Sequence, residues 1–129
     1  MPSWTALVTV VLIVEYYALT VPIYAARRRC GIRPPAMVGD PGLERAVRVH
    51  LNTLEKLAIV FPTLWITAWS VGDGPAAVAG AGWGASRIVY AAGYLRSARG
   101  RTFGAILGDV FEIGLVALST YGIVSTWRS

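Results

Sequence analysis

The chain has 129 residues, of which 55% are hydrophobic and 15% charged, and this balance excludes an ordinary soluble domain and leaves lipid as the expected solvent. The formal net charge of +5 does not describe a nucleic-acid surface, because the arginines gather at the ends of apolar runs instead of forming one solvated stripe. Cysteine occurs once, at Cys30, which excludes a disulfide framework or a cysteine-based metal site within one chain.

The first apolar run predicts a helix from about Trp4 to Ala26. No basic side chain precedes it, and Arg27, Arg28 and Arg29 follow it, the reverse of a signal peptide, so a retained membrane helix with its C-terminal end inside is expected. Gly31, Pro34, Pro35, Gly39, Asp40, Pro41 and Gly42 then interrupt helix formation, since proline lacks an amide donor and glycine costs backbone entropy. A second helix is predicted over about Leu43 to Val71, polar at first and apolar later. Gly72, Asp73, Gly74 and Pro75 form a turn into a third helix, about Ala76 to Ala98, and a fourth runs from about Phe103 to Trp127. A span needs about 20 mainly apolar residues. The expected fold is therefore all-α, a single domain over residues 1–129 forming an integral membrane four-helix bundle of up-down topology.

Loop one and its flanks hold Arg27, Arg28, Arg29, Arg33, Arg45 and Arg48, and loop three holds Arg96, Arg99 and Arg101, whereas the turn between them is almost uncharged. The positive-inside rule places both basic loops in the cytoplasm and both termini on the other side. The short compact chain points to a bacterial inner membrane. Gly80 and Gly84, and again Gly104 and Gly108, stand four apart, a spacing that lets helices approach closely in a membrane. Four such helices enclose little volume, so oligomerisation is expected to add walls to any ligand site.

Glu44, Arg48, Asn52 and Glu55 fall at offsets of four, four and three, on one stripe of the second helix. Such groups turn toward protein or a water-filled cavity; alternatively they form the interfacial end of the helix, paired with each other and wetted by head-group water. His50 lies well around the helix from Arg48 and reads as a separate interfacial contact, with no pattern that makes it a metal ligand. On the third helix Arg87, Tyr90, Tyr94, Ser97 and Arg101 trace one face, provided that the helix continues to the loop. An aromatic belt and topology signals account for part of that row. Arg87, inside the apolar run, requires an anionic partner or a bound anion, and Asp109 and Glu112 are the expected partners.

The run from Glu44 through Arg45, Arg48, His50 and Asn52 to Glu55 resembles the pattern E-R-x-x-R-x-[HQ]-x-N-x-x-E of the membrane-associated proteins in eicosanoid and glutathione metabolism. Arg87 to Tyr90, Gly93 with Tyr94, and Arg96 to Ala98 resemble a second block of that family's glutathione-conjugating members. Ala26, Arg27 and Arg28, followed by Pro34 and Pro35, are similar to the end of their first helix. The resemblance implies a homotrimer with glutathione, the thiol co-substrate, bound between subunits near the cytoplasmic face. Arg27, Arg48, His50, Asn52, Glu55, Arg87, Tyr90 and Tyr94 are the implied cofactor-binding positions. Arg101 stands where the family has its thiolate-stabilising arginine, and Arg28 is the second implied catalytic position, polarising the substrate.

Residue chemistry agrees with this. Two carboxylates and an ammonium call for several guanidinium donors plus an acid, and a fixed positive charge beside sulfur lowers the thiol pKa. The implied activity is that of a membrane-bound glutathione-dependent transferase or peroxidase acting on a lipophilic electrophile or hydroperoxide, with membrane lipids and no nucleic acid as partners. Two departures stand out: Ala58 replaces a common proline, with Pro62 one turn later, and Lys56 stands where a cofactor-contacting tyrosine is found. The alternatives are a non-catalytic scaffold that binds lipid or protein, and a small multidrug/proton antiporter using Glu15.

Overall fold

The computed structural model describes residues 1–129 and contains helices but no strand. In chain order these are α1 (Ser3–Ala18), α2 (Thr20–Cys30), α3 (Pro41–Ser70), α4 (Asp73–Arg96), a 3-10 turn (Ala98–Arg101) and α5 (Thr102–Arg128). α1 and α2 occupy the first predicted helix, so the expected four rods are present, but the first is interrupted at Leu19. Pro22 is the physical cause. It has no amide to offer the carbonyl of Ala18, four residues back, and its ring crowds that carbonyl. The Leu19 amide still reaches the carbonyls of Glu15 and Tyr16, both at 3.2 Å, so the break is confined to one residue. α3, by contrast, runs unbroken through Pro62.

The register of contacts defines the bundle. Thr5 meets Asp73, Val8 meets Gly80 and Leu12 meets Gly84, so α1 runs parallel to α4. Arg87 reaches back to Asn52 while Gly80 lies on Leu64, which makes α3 and α4 antiparallel. Gly104 on Tyr90, Gly108 on Ser86 and Phe111 on Gly82 do the same for α4 and α5. The small residues predicted to allow close approach do so: a Cβ at Gly80 would come 2.9 Å from Val8 Cγ1, and one at Gly104 would strike the Tyr90 backbone.

The main core joins all four rods through Leu12, Leu57, Val60, Leu64, Trp83 and Leu115. Outside it, Leu7, Val10 and Val14 on α1 and Ile106, Val110 and Ile113 on α5 are exposed, an apolar surface on each of these helices that is foreign to a water-facing protein. The stretches Ser3–Cys30 and Ala98–Arg128 are long and apolar enough to cross a membrane.

Each end of the bundle is tied by an aspartate. Asp73 accepts from the amides of Trp4 (3.0 Å) and Thr5 (2.7 Å), so the second turn caps the start of α1. At the arginine-rich end Asp40 accepts from the Leu43 amide (2.9 Å) and from Arg29 (2.8 Å). The Leu43 amide first, and the Arg29 guanidinium second, hold the Asp40 carboxyl below its ordinary range.

Candidate functional site

Arg87 is the most deeply placed charge, 2% exposed in the middle of α4. Its Nη2 donates to Asn52 Oδ1 and to Thr53 Oγ1, each at 2.9 Å. The Thr53 hydroxyl donates in turn to the Val49 carbonyl at 2.8 Å, which leaves its lone pairs facing Arg87. The guanidinium carbon stands 3.9 Å from the centre of the Tyr90 ring, a cation–π contact in a desolvated site. Nε of Arg87 is buried with no hydrogen-bond partner.

The expected pairing of Arg87 with Asp109 and Glu112 is not found. Lys56 takes both acids: its Nζ lies 3.0 Å from Asp109 Oδ1 and 3.0 Å from Glu112 Oε2. The other oxygen of Glu112 accepts from Trp83 Nε1 at 2.9 Å. A flexible ammonium on α3 satisfies both carboxylates of α5, while the planar fork of Arg87 is spent on α3 itself. One polar network thereby joins α3, α4 and α5.

Between these helices lies a cavity of about 220 Å³, lined by Arg48, Asn52, Lys56, Arg87, Tyr90, Arg101, Ala105 and Asp109. Four cations and one carboxylate face it, so it suits an anion with more than one acidic group. Arg101 arrives there by an unexpected route. α4 ends at Arg96, Ser97 is extended (φ −161°, ψ 155°), and the 3-10 turn carries Arg101 back. The predicted single helical face from Arg87 to Arg101 is therefore broken at Ser97. The turn closes because Gly93 and Gly100 lie backbone to backbone, with no room for a Cβ on either. It leaves the Arg101 guanidinium 5.6 Å from the Tyr94 ring centre.

The remaining predicted residues are distributed around this centre. Tyr94 is buried and stacks on Tyr90 at 5.7 Å between ring centres. Glu55 lies outside the lining and pairs with Arg48 at 3.3 Å. His50 stacks on Tyr16 of α1, with ring centres 4.4 Å apart, and does not line the cavity. Arg27 and Arg28 border a separate hollow with Tyr24 and Arg33 and do not join Arg48 and Arg101. Arg27 Nη1 donates to the carbonyls of Ile32 (3.2 Å) and Ala36 (2.7 Å), pinning the first loop. Glu15 lies in an apolar groove between α1 and α4. Lys56, noted in the sequence as a departure at a cofactor-contacting position, and Asp109, expected as a partner of Arg87, both line the cavity, and Lys56 follows Asn52 by four and so continues the Glu44, Arg48, Asn52 stripe.

The model of the MAPEG family matches residues 5–121. An uncharacterized protein from Synechocystis is 40% identical over 113 residues, covering 88% of this chain and 82% of that protein. Leukotriene C4 synthase from Rattus norvegicus is 35% identical over 91 residues, 70% of this chain, and the chain spans 59% of that relative's length. Human microsomal glutathione S-transferase 2 is 33% identical over 106 residues, 82% of this chain and 68% of its own. The chain belongs to the MAPEG family, whose members are membrane-associated helical proteins.

Proposed function

We propose that the chain is a membrane-bound, glutathione-dependent transferase or peroxidase that crosses the bilayer four times. The observation that carries this is the convergence of Arg48, Asn52, Arg87, Tyr90 and Arg101, from α3, α4 and the turn before α5, on one cavity. Glutathione fits the donor set. It offers two carboxylates to four cations, and the buried Nε of Arg87 is a donor still without an acceptor. Arg48 and Arg87 bind the carboxylates, and Arg101 holds the sulfur as thiolate by its fixed charge. Bound glutathione then supplies the nucleophile for a lipophilic electrophile or hydroperoxide entering from the bilayer.

Ligand pockets usually measure about 300–1,000 Å³. The cavity, at about 220 Å³, falls below that range, which supports a homotrimer whose neighbouring subunit supplies further wall. Arg28 borders the hollow beside Tyr24 and Arg33 and is not tied to loop carbonyls as Arg27 is, so its guanidinium is free to reach across. The arginine-rich end faces the cytoplasm by the positive-inside rule, and the membrane proposed is a bacterial inner membrane, a bacterial setting being in keeping with the Synechocystis relative.

Turnover in lipid nanodiscs tests the reading. Arg101→Ala is expected to lower kcat for glutathione conjugation by about a hundredfold, the effect of losing one electrostatic stabiliser, with a smaller change in KM for glutathione. An unchanged kcat contradicts the role of Arg101. Failure to bind glutathione by calorimetry, with retention of a hydrophobic ligand, supports the scaffold reading instead.

A further inference from the structure

A lysine ammonium has three N–H donors. Lys56 spends two of them on Asp109 and Glu112, each at 3.0 Å, and its side chain lines the same cavity as Arg101. The third donor is directed by the two that are anchored. Glu112 is itself fixed by Trp83, so the ammonium is held from two sides and cannot follow a ligand out of place.

This edge of the cavity also adjoins lipid-facing surface. Asp109 is half exposed, and around it on α5 stand Ile106, Val110 and Ile113, each more than half exposed. An apolar tail lying along those side chains brings its head to Lys56. The Lys56 ammonium already faces the carboxylates of Asp109 and Glu112, so no third anion is needed to balance its charge, and the head that fits its remaining N–H is neutral on arrival.

We infer that Lys56 determines which electrophile is accepted, by donating its third N–H to an oxygen that becomes anionic only when the thiolate attacks; the class that fits is a lipophilic α,β-unsaturated carbonyl compound. This inference rests on the proposed transferase reading. The sulfur forms a bond to the β-carbon, the π electrons move to the carbonyl oxygen, and the resulting enolate oxygen accepts from Lys56. The α-carbon then takes a proton from water, and Lys56 keeps all three of its own. Such a donor acts on the transition state more than on the bound ground state.

The test compares kcat/KM for trans-2-nonenal with that for benzyl chloride, which carries no oxygen and releases chloride. In Lys56→Met the nonenal-to-benzyl chloride ratio is expected to fall by about a hundredfold. Because that variant leaves two carboxylates without their cation, the triple variant Lys56→Met, Asp109→Asn, Glu112→Gln is measured beside it and is expected to show the same fall. A ratio within about threefold of wild type in either folded variant overturns the inference. Wild-type protein that conjugates benzyl chloride but not nonenal overturns it while leaving the transferase reading intact; protein that conjugates neither contradicts both.

Discussion

Arg87 sets the energetic stakes at the level of single residues. Its burial is tolerable because Asn52, Thr53 and the Tyr90 ring surround the guanidinium. Hydrogen bonds to a charged group contribute about 1.5–3 kcal/mol each, so Arg87→Leu, which leaves both acceptors dry, is expected to lower unfolding stability by roughly 3 kcal/mol. Denaturant titration in mild detergent checks this, and a loss below about 1 kcal/mol contradicts it. Asp40 has the opposite character, a partly exposed loop carboxyl whose folded pKa is depressed by the Leu43 amide and by Arg29. Its support for the start of α3 is complete above the ordinary aspartate value of about 3.9 and is lost as pH falls through the lower folded value. Protection of the Leu43 amide against exchange, relative to an unstructured peptide at the same pH, should therefore fall only at acid pH, whereas Asp40→Ala lowers it already at pH 7; identical protection in the two proteins at pH 7 contradicts the cap.

Close approach of helices decides behaviour at the level of elements. Gly104→Ala forces a Cβ into the Tyr90 backbone and is expected to cost about 1–3 kcal/mol. Gly114→Ala, on the same helix with open space around it, is expected to be neutral or stabilising. Thermal unfolding of the pair checks the contrast, and equal melting temperatures contradict it. Helix existence was legible in the apolar runs, but the break at Leu19 was not, because hydrophobicity continues across Pro22 and only the missing amide marks the spot. The row from Arg87 to Arg101 was read as one face on the assumption that α4 continues. The Gly93–Gly100 contact that ends it is a tertiary feature with no periodic signal. Arg101 nonetheless reaches the cavity, because the 3-10 turn returns the chain toward Tyr94. Lys56 was visible as a departure from the family pattern, but its pairing with Asp109 and Glu112 depends on the α3–α5 register, which spacing within one helix does not encode.

At the level of the whole molecule, four rods place nearly all the arginines at one end and an apolar surface around the rest. The cation-rich cavity is smaller than ordinary ligand pockets, which is the ground for the proposed homotrimer. Chemical cross-linking in membranes is expected to give a product of three subunits, and a species that stays monomeric at all protein concentrations contradicts the shared site. The Arg27–Arg28 hollow and the Arg48–Arg101 cavity lie apart in one chain, the arrangement that the proposed site shared between copies requires. The most direct measurement is the ultraviolet absorbance of the thiolate when glutathione is added to the purified protein at pH 7. A thiolate signal in the wild type that disappears in Arg101→Ala, with glutathione still bound by calorimetry, is the predicted result; bound glutathione that remains a thiol in the wild type, or a signal unchanged by Arg101→Ala, contradicts it.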